Sequence, residues 1–256
     1  MPFFPLLLCC LLIPLATSHP MQHPMSRETA YNKGWASYLA DEPSQFHNLP
    51  LSWSLNTSIP AWLQGSYVKN GPGQRKFGDD RHYSSYLDSW GKLNKFTFNG
   101  ELVTFSGRMI ETANYNRSVN KGEMVPSITL AHVQPNDWNI FEMMEGVVHG
   151  FDNTNVMLWK LGPADKDKGI YISVTDFPTV HEMDPDTLAV KQKLGLNELT
   201  DGISLGSCAH WRREAGKDSS INFHMIYNPL TLRPDFVLYR FGNNYQVRRN
   251  IKNIRI

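Results

Sequence analysis

Two alternating runs joined by Asn99-Gly100 constrain this chain more than any other stretch. In "KLNKFTFNGELVTFSG", residues 92 to 107, apolar and polar side chains alternate on both sides of the pair. A period of two turns one face of each run towards a core. Asn-Gly tolerates the positive φ angles of a type I′ turn, so the stretch is expected to fold as an antiparallel hairpin. The same pattern recurs in "GIYISVTDFPTVHEMDPDTL", residues 169 to 188, which predicts a strand, a break at Pro178, a second short strand and a turn at Asp184-Pro185-Asp186. "SINFHMIYNP" and "DFVLYRFGNN" repeat it near the end, and the basic run "QVRRNIKNIRI", residues 246 to 256, reads as a strand with one solvated face. No long amphipathic helix and no fixed-period repeat stands out. The expected class is all-β: a sandwich, barrel or propeller.

The amino terminus differs in kind. "MPFFPLLLCCLLIPLATSHP" has an apolar core from Phe3 to Leu15 followed by Ala16-Thr17-Ser18, which reads as a secretory signal peptide over residues 1–18 with secretion as its consequence. The core is too short to span a bilayer, for which about 20 apolar residues are needed, and an uncleaved anchor is the alternative reading. Cleavage removes Cys9 and Cys10 and leaves Cys208 alone, so no internal disulfide framework is expected. Two acceptor tripeptides for N-linked glycans, Asn56-Thr57-Ser58 and Asn116-Arg117-Ser118, agree with that route. Residues 19–50 are polar and turn-rich, and predict an irregular arm with one helical turn around Gly34 to Leu39.

Charge and motifs exclude several functions. Lys+Arg 25 against Asp+Glu 24 leaves a net charge of +1, with no concentrated basic face to replace the counterions of a nucleic acid. G-x-G-x-x-G, a Walker loop and C-x-x-C are all missing from the sequence. "NGPGQRKFGDD" does not lead into a helix, so its glycines are expected to serve tight turns rather than a phosphate. Cys208 and His210 could be drawn as thiolate and base, but a buried, inert cysteine is the expectation.

The order of short stretches carries more than any one of them. "LQGSYVKNGPG" (63–73), "HYSSYLDSWGKLNKFTFNGEL" (82–102), "GRMIETANY" (107–115), "GFDNTNV" (150–156), "YISVTDFPTVHEMDPDTLAV" (171–190) and "SCAHWRRE" (207–214) follow one another. Together, over roughly residues 35 to 245, they resemble the first half of the carotenoid oxygenase family, which includes carotenoid cleavage dioxygenases and the retinoid isomerohydrolase of the visual cycle. The resemblance implies a seven-bladed β-propeller in which four histidines on the axis hold ferrous iron and outer carboxylates orient three of them. Residues 19–256 would be the N-terminal part of that domain, about the first half of its blades.

On this resemblance His210 falls at the first iron ligand and Asp176, in "SVTDFP", at an outer carboxylate where a glutamate is usual. Trp211-Arg212 replaces the Pro-His that typically follows the ligand, and "LDSWG" (87–91) replaces Phe-Asp-Gly while keeping Asp88. The implied function is a non-haem iron(II) dioxygenase cleaving a double bond of a carotenoid or apocarotenoid with O2, with a carotenoid or retinoid substrate, no nucleic acid, and peripheral membrane contact in the full-length enzyme. The other three ligands would lie past Ile256, so the expectation is an N-terminal fragment, inactive alone. His19 and His23 flank the cleavage site, and His47, His82, His132, His149, His181 and His224 are expected at the surface or in the core. The alternative is a secreted non-catalytic β-protein that binds a lipid or a protein partner.

Overall fold

A computed structural model of the chain describes residues 41–51, 58–78, 81–127, 129, 131–163, 169–195, 204–228, 233–242 and 247–249. The expected signal peptide, the turn at Gly34–Leu39 and the acceptor Asn56 lie outside these residues.

The chain runs β1 (Phe46–Leu51), β2 (Gly65–Gln74), β3 (Lys76–Phe77), β4 (Arg81–Tyr83), a 3-10 turn at Tyr86–Asp88, β5 (Trp90–Asn99) and β6 (Leu102–Met109). Helix α1 (Ala113–Lys121), β7 (Val133–Gln134) and helix α2 (Ile140–His149) follow. Then come β8 (Met157–Leu161), β9 (Ile170–Val174), β10 (Thr179–Met183), β11 (Val190–Gly195), β12 (Ser204–Ser207), β13 (Arg212–Arg213), β14 (Ser220–Asn228), β15 (Arg233–Phe241) and β16 (Val247–Arg249). Among the described residues the chain is mostly β with two short helices.

The strands form antiparallel sheets ordered β1-β6-β5-β2, β3-β4-β7, β11-β10-β9-β8 and β12-β14-β15-β16, with β13 also paired to β14. The expected hairpin is present, but its turn is displaced by one residue. Asn99 pairs with Leu102, leaving Gly100 and Glu101 as the loop, and only Gly100 has positive φ (62°). Positive φ at the first central position alone matches type II′ rather than I′. The strand, break and turn expected over 169–188 are there as β9, β10 and the Asp184–Thr187 turn, where Asp184 Oδ1 accepts from the Asp186 and Thr187 amides at 3.0 and 2.8 Å. Both late runs form strands, and β16 covers part of the basic run.

Three expectations change. The arm assigned to residues 19–50 overlaps β1, which pairs with β6; the residues leading into it are held by Lys92, whose amine donates to the carbonyls of Glu42 and Ser44 at 2.6 and 2.9 Å. Gly71 and Gly73 lie inside β2 rather than in turns, and a Cβ on Gly73 would stand 2.5 Å from Lys92 Cβ. Close strand packing explains that glycine; Gly78, with φ +65°, is the turn glycine of the stretch. Finally, two helices were not anticipated. Each is capped: Thr112 accepts from the Tyr115 amide before α1, Asn139 and Glu142 form a capping box on α2, and Gly122 (φ 73°) and Gly150 (φ 65°) follow the last turns.

Buried apolar clusters join the sheets. Leu93 and Ile110 of the first sheet region bury against Met183 and Leu188, while Leu161, Ile172, Val174 and Val180 bury against Trp211, Ile226, Val237, Tyr239 and Phe241. A third cluster joins Phe77, Tyr83, Trp90 and Tyr115 around the 3-10 turn and α1. Each fully buried large apolar side chain contributes roughly 1.5–3 kcal/mol. Among the described residues no helix is long and apolar enough to cross a membrane.

Candidate functional site

His210 stands on a bulge. β12 pairs with β14 up to Ser207↔His224, and β13 resumes at Arg212↔Ile221. Residues 208–211 therefore face only Asn222 and Phe223, and the surplus chain folds into a turn. Ala209 and Trp211 point inward and are buried, which leaves His210 between them exposed.

The turn is held from two sides. Asp176 Oδ1 accepts from the Ala209 amide at 2.8 Å, and the Asp176 carbonyl accepts from the Ser207 amide at 2.9 Å. The Ser207 hydroxyl bonds the carbonyls of Thr175 and Phe177, both at 3.2 Å. From β14, Asn222 Nδ2 donates to the Cys208 carbonyl at 3.0 Å. The two sequence-predicted site residues thus meet at one place, through backbone: the carboxylate grips the residue before the histidine.

Cys208 is half-buried rather than buried. The His210 amide points at its Sγ, 3.4 Å away, and the thiol faces the His210 carbonyl at 3.7 Å. The thiol therefore meets the backbone of His210, an arrangement that supplies no base for a nucleophile.

Of the other described histidines, His82 is half-buried and the rest divide between surface and core. His47, His132 and His149 are exposed, whereas His181 and His224 are buried. His181 Nδ1 lies 3.2 Å from Thr154 Oγ1, and burial, helped by Lys193, pushes its pKa down to about 4. His224 sits with its ring centre 5.0 Å from that of Tyr239 and 5.8 Å from that of Phe241, and burial alone takes it down to about 4. Among the described residues no group of three or more His, Cys, Asp or Glu side chains converges on a point where a metal could sit. An open cleft of about 640 Å³ between Phe77, Arg81, Gly122 and Asp137 involves none of these residues, and its Arg81 is paired with Asp137 at 2.8 Å.

Two features went unread in the sequence. One is the buried polar segment Asp152–Asn155. Asn153 accepts from the Gly91 amide at 3.0 Å and donates to the carbonyls of Asp88 and Ser89 at 3.0 and 2.9 Å; Asn155 donates to those of Leu87 and Ser89 at 2.7 and 2.8 Å. Asn70 of β2 donates to the Thr154 carbonyl and to Ser173 of β9 at 2.8 and 3.0 Å, so the segment ties the β1-β6-β5-β2 sheet to the β11-β10-β9-β8 sheet. Burial raises the pKa of Asp152, whose Oδ2 accepts from the Asn114 amide at the start of α1. The other is α2, where Ile140, Phe141, Met143, Met144, Val147 and Val148 are all exposed, Phe141 by 79% and Val148 by 80%. Six adjacent apolar side chains on one capped helix form a patch of the kind that marks a contact surface.

The sequence profile of the family described as retinal pigment epithelial membrane protein matches residues 43–254. Among similar proteins, a carotenoid isomerooxygenase of Galleria mellonella is 28% identical over 161 residues, 61% of this chain and 29% of that protein. A beta,beta-carotene 15,15'-dioxygenase of Rattus norvegicus is 28% identical over 152 residues, 57% of this chain and 25% of that protein. Among solved structures, a mutant of Synechocystis apocarotenoid oxygenase superposes with a TM-score of 0.65 at 18% identity, covering 84% of this chain and 43% of that chain. Cobalt-substituted Synechocystis ACO superposes at 0.61 with 19% identity over the same shares. At such identities the superpositions establish the fold. The matches span under a third of those two relatives and under half of the solved chains.

Proposed function

The chain belongs to the retinal pigment epithelial membrane protein family, and on that premise we propose that it is part of a carotenoid oxygenase, which splits a double bond of a carotenoid or apocarotenoid with O2. The observation that carries this reading is the family match across residues 43–254, almost all of the described chain. In such a cleavage each former alkene carbon takes one oxygen atom, so one polyene and one O2 yield two carbonyl products. Ferrous iron, when bound, supplies an open position where O2 can be activated.

His210 is the residue of this chain assigned to hold that iron. Its imidazole is exposed while its backbone is fixed by Asp176, Ser207 and Asn222, so the turn can present the ring without moving. Asp176 positions it by holding the Ala209 amide. The described residues alone do not make an iron site, since one imidazole on a turn lacks the converging partners that an iron centre requires. The reading places three further ligands in the continuation of a longer protein and makes the sheets seen here about the first half of a seven-bladed propeller. Residues 1–18 are proposed as a removed leader that sends the protein out of the cell. The apolar side chains of α2 are proposed as its contact with a membrane surface, where a lipophilic polyene would be found.

Iron content after gel filtration tests the assignment, measured on the 256-residue chain, on a longer protein containing it, and on that protein with His210→Ala. Expected are iron and loss of β-carotene with the longer protein only. Stoichiometric iron on the 256-residue chain would overturn the shared-ligand reading, and full iron on the variant would remove His210 from the ligand set.

A further inference from the structure

One sequence feature is left unused by the proposed activity, the acceptor tripeptide Asn116-Arg117-Ser118, which lies wholly within α1. Its three side chains have different fates. Asn116 is exposed, and its Nδ2 makes one long bond, 3.3 Å, to the Glu111 carbonyl. Arg117 bridges to Asn114 Oδ1 at 3.0 Å and to Glu145 of α2. Ser118 is fully buried, and its hydroxyl accepts from the Val125 amide at 3.2 Å.

Oligosaccharide transfer to asparagine needs the hydroxyl of the third residue and a backbone free to bend around the acceptor. Folding removes both here, because the helix fixes the backbone and the core takes the hydroxyl. What folding leaves outside is the asparagine amide itself. We infer that Asn116 carries an N-linked glycan, attached before α1 forms and retained at the surface afterwards. In the transfer, the amide nitrogen of Asn116 bonds to C1 of an oligosaccharide supplied as a lipid pyrophosphate; the C1–O bond to the pyrophosphate breaks and the amide gives up one proton. The cost to the fold is one weak, exposed hydrogen bond, since the side chain projects into solvent and a sugar there displaces no packed group. The placement rests on the secretory reading of residues 1–18, whereas the exposure of Asn116 does not.

The test expresses the 256-residue chain in an animal-cell secretory host twice, with its own leader and with residues 1–18 replaced by an established secretion signal. Secreted and cell-retained material are both digested with a peptide N-glycosidase in heavy-oxygen water, and conversion of Asn116 to heavy-labelled Asp is read by mass spectrometry. Label is expected in both forms, absent in Asn116→Gln and Ser118→Ala, and retained in Ser118→Thr. Ser118→Ala also strips the Val125 amide of its partner, so the informative pair is Asn116→Gln against Ser118→Thr, which leaves the core hydroxyl in place. Label only with the replaced leader would overturn the secretory reading and leave the acceptor standing. An unlabelled Asn116 with the replaced leader would overturn the glycan itself.

Discussion

Asp176 Oδ1 accepts a 2.8 Å hydrogen bond from the amide of Ala209, the residue immediately before His210 and itself fully buried. A charged acceptor on a backbone donor is a stronger tie than a neutral one, and it secures a turn that has no ladder bonds of its own. Removing the carboxylate leaves the amide without its partner.

Asp176→Ala should therefore destabilise the protein by about 1–2 kcal/mol, the lower part of the range for a lost charge-assisted bond because Asp176 is solvent-exposed. Loosening the turn should also speed modification of Cys208, whose thiol lies against the His210 backbone. Urea midpoints and the rate of reaction with a thiol reagent check both effects. No change in either would show that the carboxylate does not hold the turn.

How much of this was legible beforehand depended on how local the cause was. The strands over 92–107 and 169–188 were readable because alternation and turn residues act over a few positions. The turn type was not, because register is settled by pairing: Asn99 opposite Leu102 moves the loop onto Gly100 and Glu101. Helix α1 hid because its buried residues are Asn114, Tyr115 and Ser118, which give no apolar stripe, and α2 hid because its apolar residues face outward. Their caps, Thr112, Asn139 with Glu142, Gly122 and Gly150, were the available signals. His210 and Asp176 could be named from family resemblance alone; that they meet through Ala209 is a contact across 33 positions, which no local pattern displays.

The hairpin supplies a clean backbone test. Nothing lies within 4 Å of a Cβ placed on Gly100, so Gly100→Val meets no steric neighbour and its cost is the positive φ alone. That cost is about 1–2 kcal/mol for a β-branched residue, and Gly100→Asn should lose much less. Equal unfolding midpoints for wild type and Gly100→Val would remove the turn assignment.

Asn153 offers a larger effect from a smaller change. Its amide group makes three buried bonds, to the Gly91 amide and to the carbonyls of Asp88 and Ser89. Asn153→Ala strands the Gly91 amide and takes one donor each from the carbonyls of Asp88 and Ser89, the second of which Asn155 still holds, and should cost about 2–3 kcal/mol. Asn153→Asp keeps the acceptor but loses both donors, and should fall between alanine and wild type only if the donors matter. Thermal unfolding of the three proteins decides the order.

On α2, Phe141→Glu and Val148→Glu each place a charge on the exposed apolar surface. Both side chains are already in solvent, so stability should change by less than about 0.5 kcal/mol. Sedimentation with phospholipid vesicles should fall severalfold if α2 is the membrane contact. Unchanged sedimentation would detach the patch from that role.

The buried histidines make stability depend on pH, and the sign follows from their shifts. His224 has a pKa near 4 in the folded protein against an ordinary value of 6.5, because its ring is removed from water among Tyr239 and Phe241. His181 is lowered to about 4 as well, by burial first and Lys193 second. Between these values the unfolded chain binds protons that the folded chain refuses, so acid draws the equilibrium towards unfolding. The stability these two histidines contribute is at its full value above pH 6.5, declines as pH falls through the window from 6.5 to about 4, and changes no further below it. Each histidine accounts for a loss of about 3 kcal/mol across that window. His224→Phe places an apolar ring in an apolar site and removes one contribution without stranding a partner, whereas His181→Phe also breaks the contact with Thr154 Oγ1. Urea unfolding at several pH values on wild type and His224→Phe should show the slope between pH 4 and 6.5 falling by about half in the variant. An identical slope would mean that His224 is charged in the folded protein, and that its ring is not enclosed between the sheets.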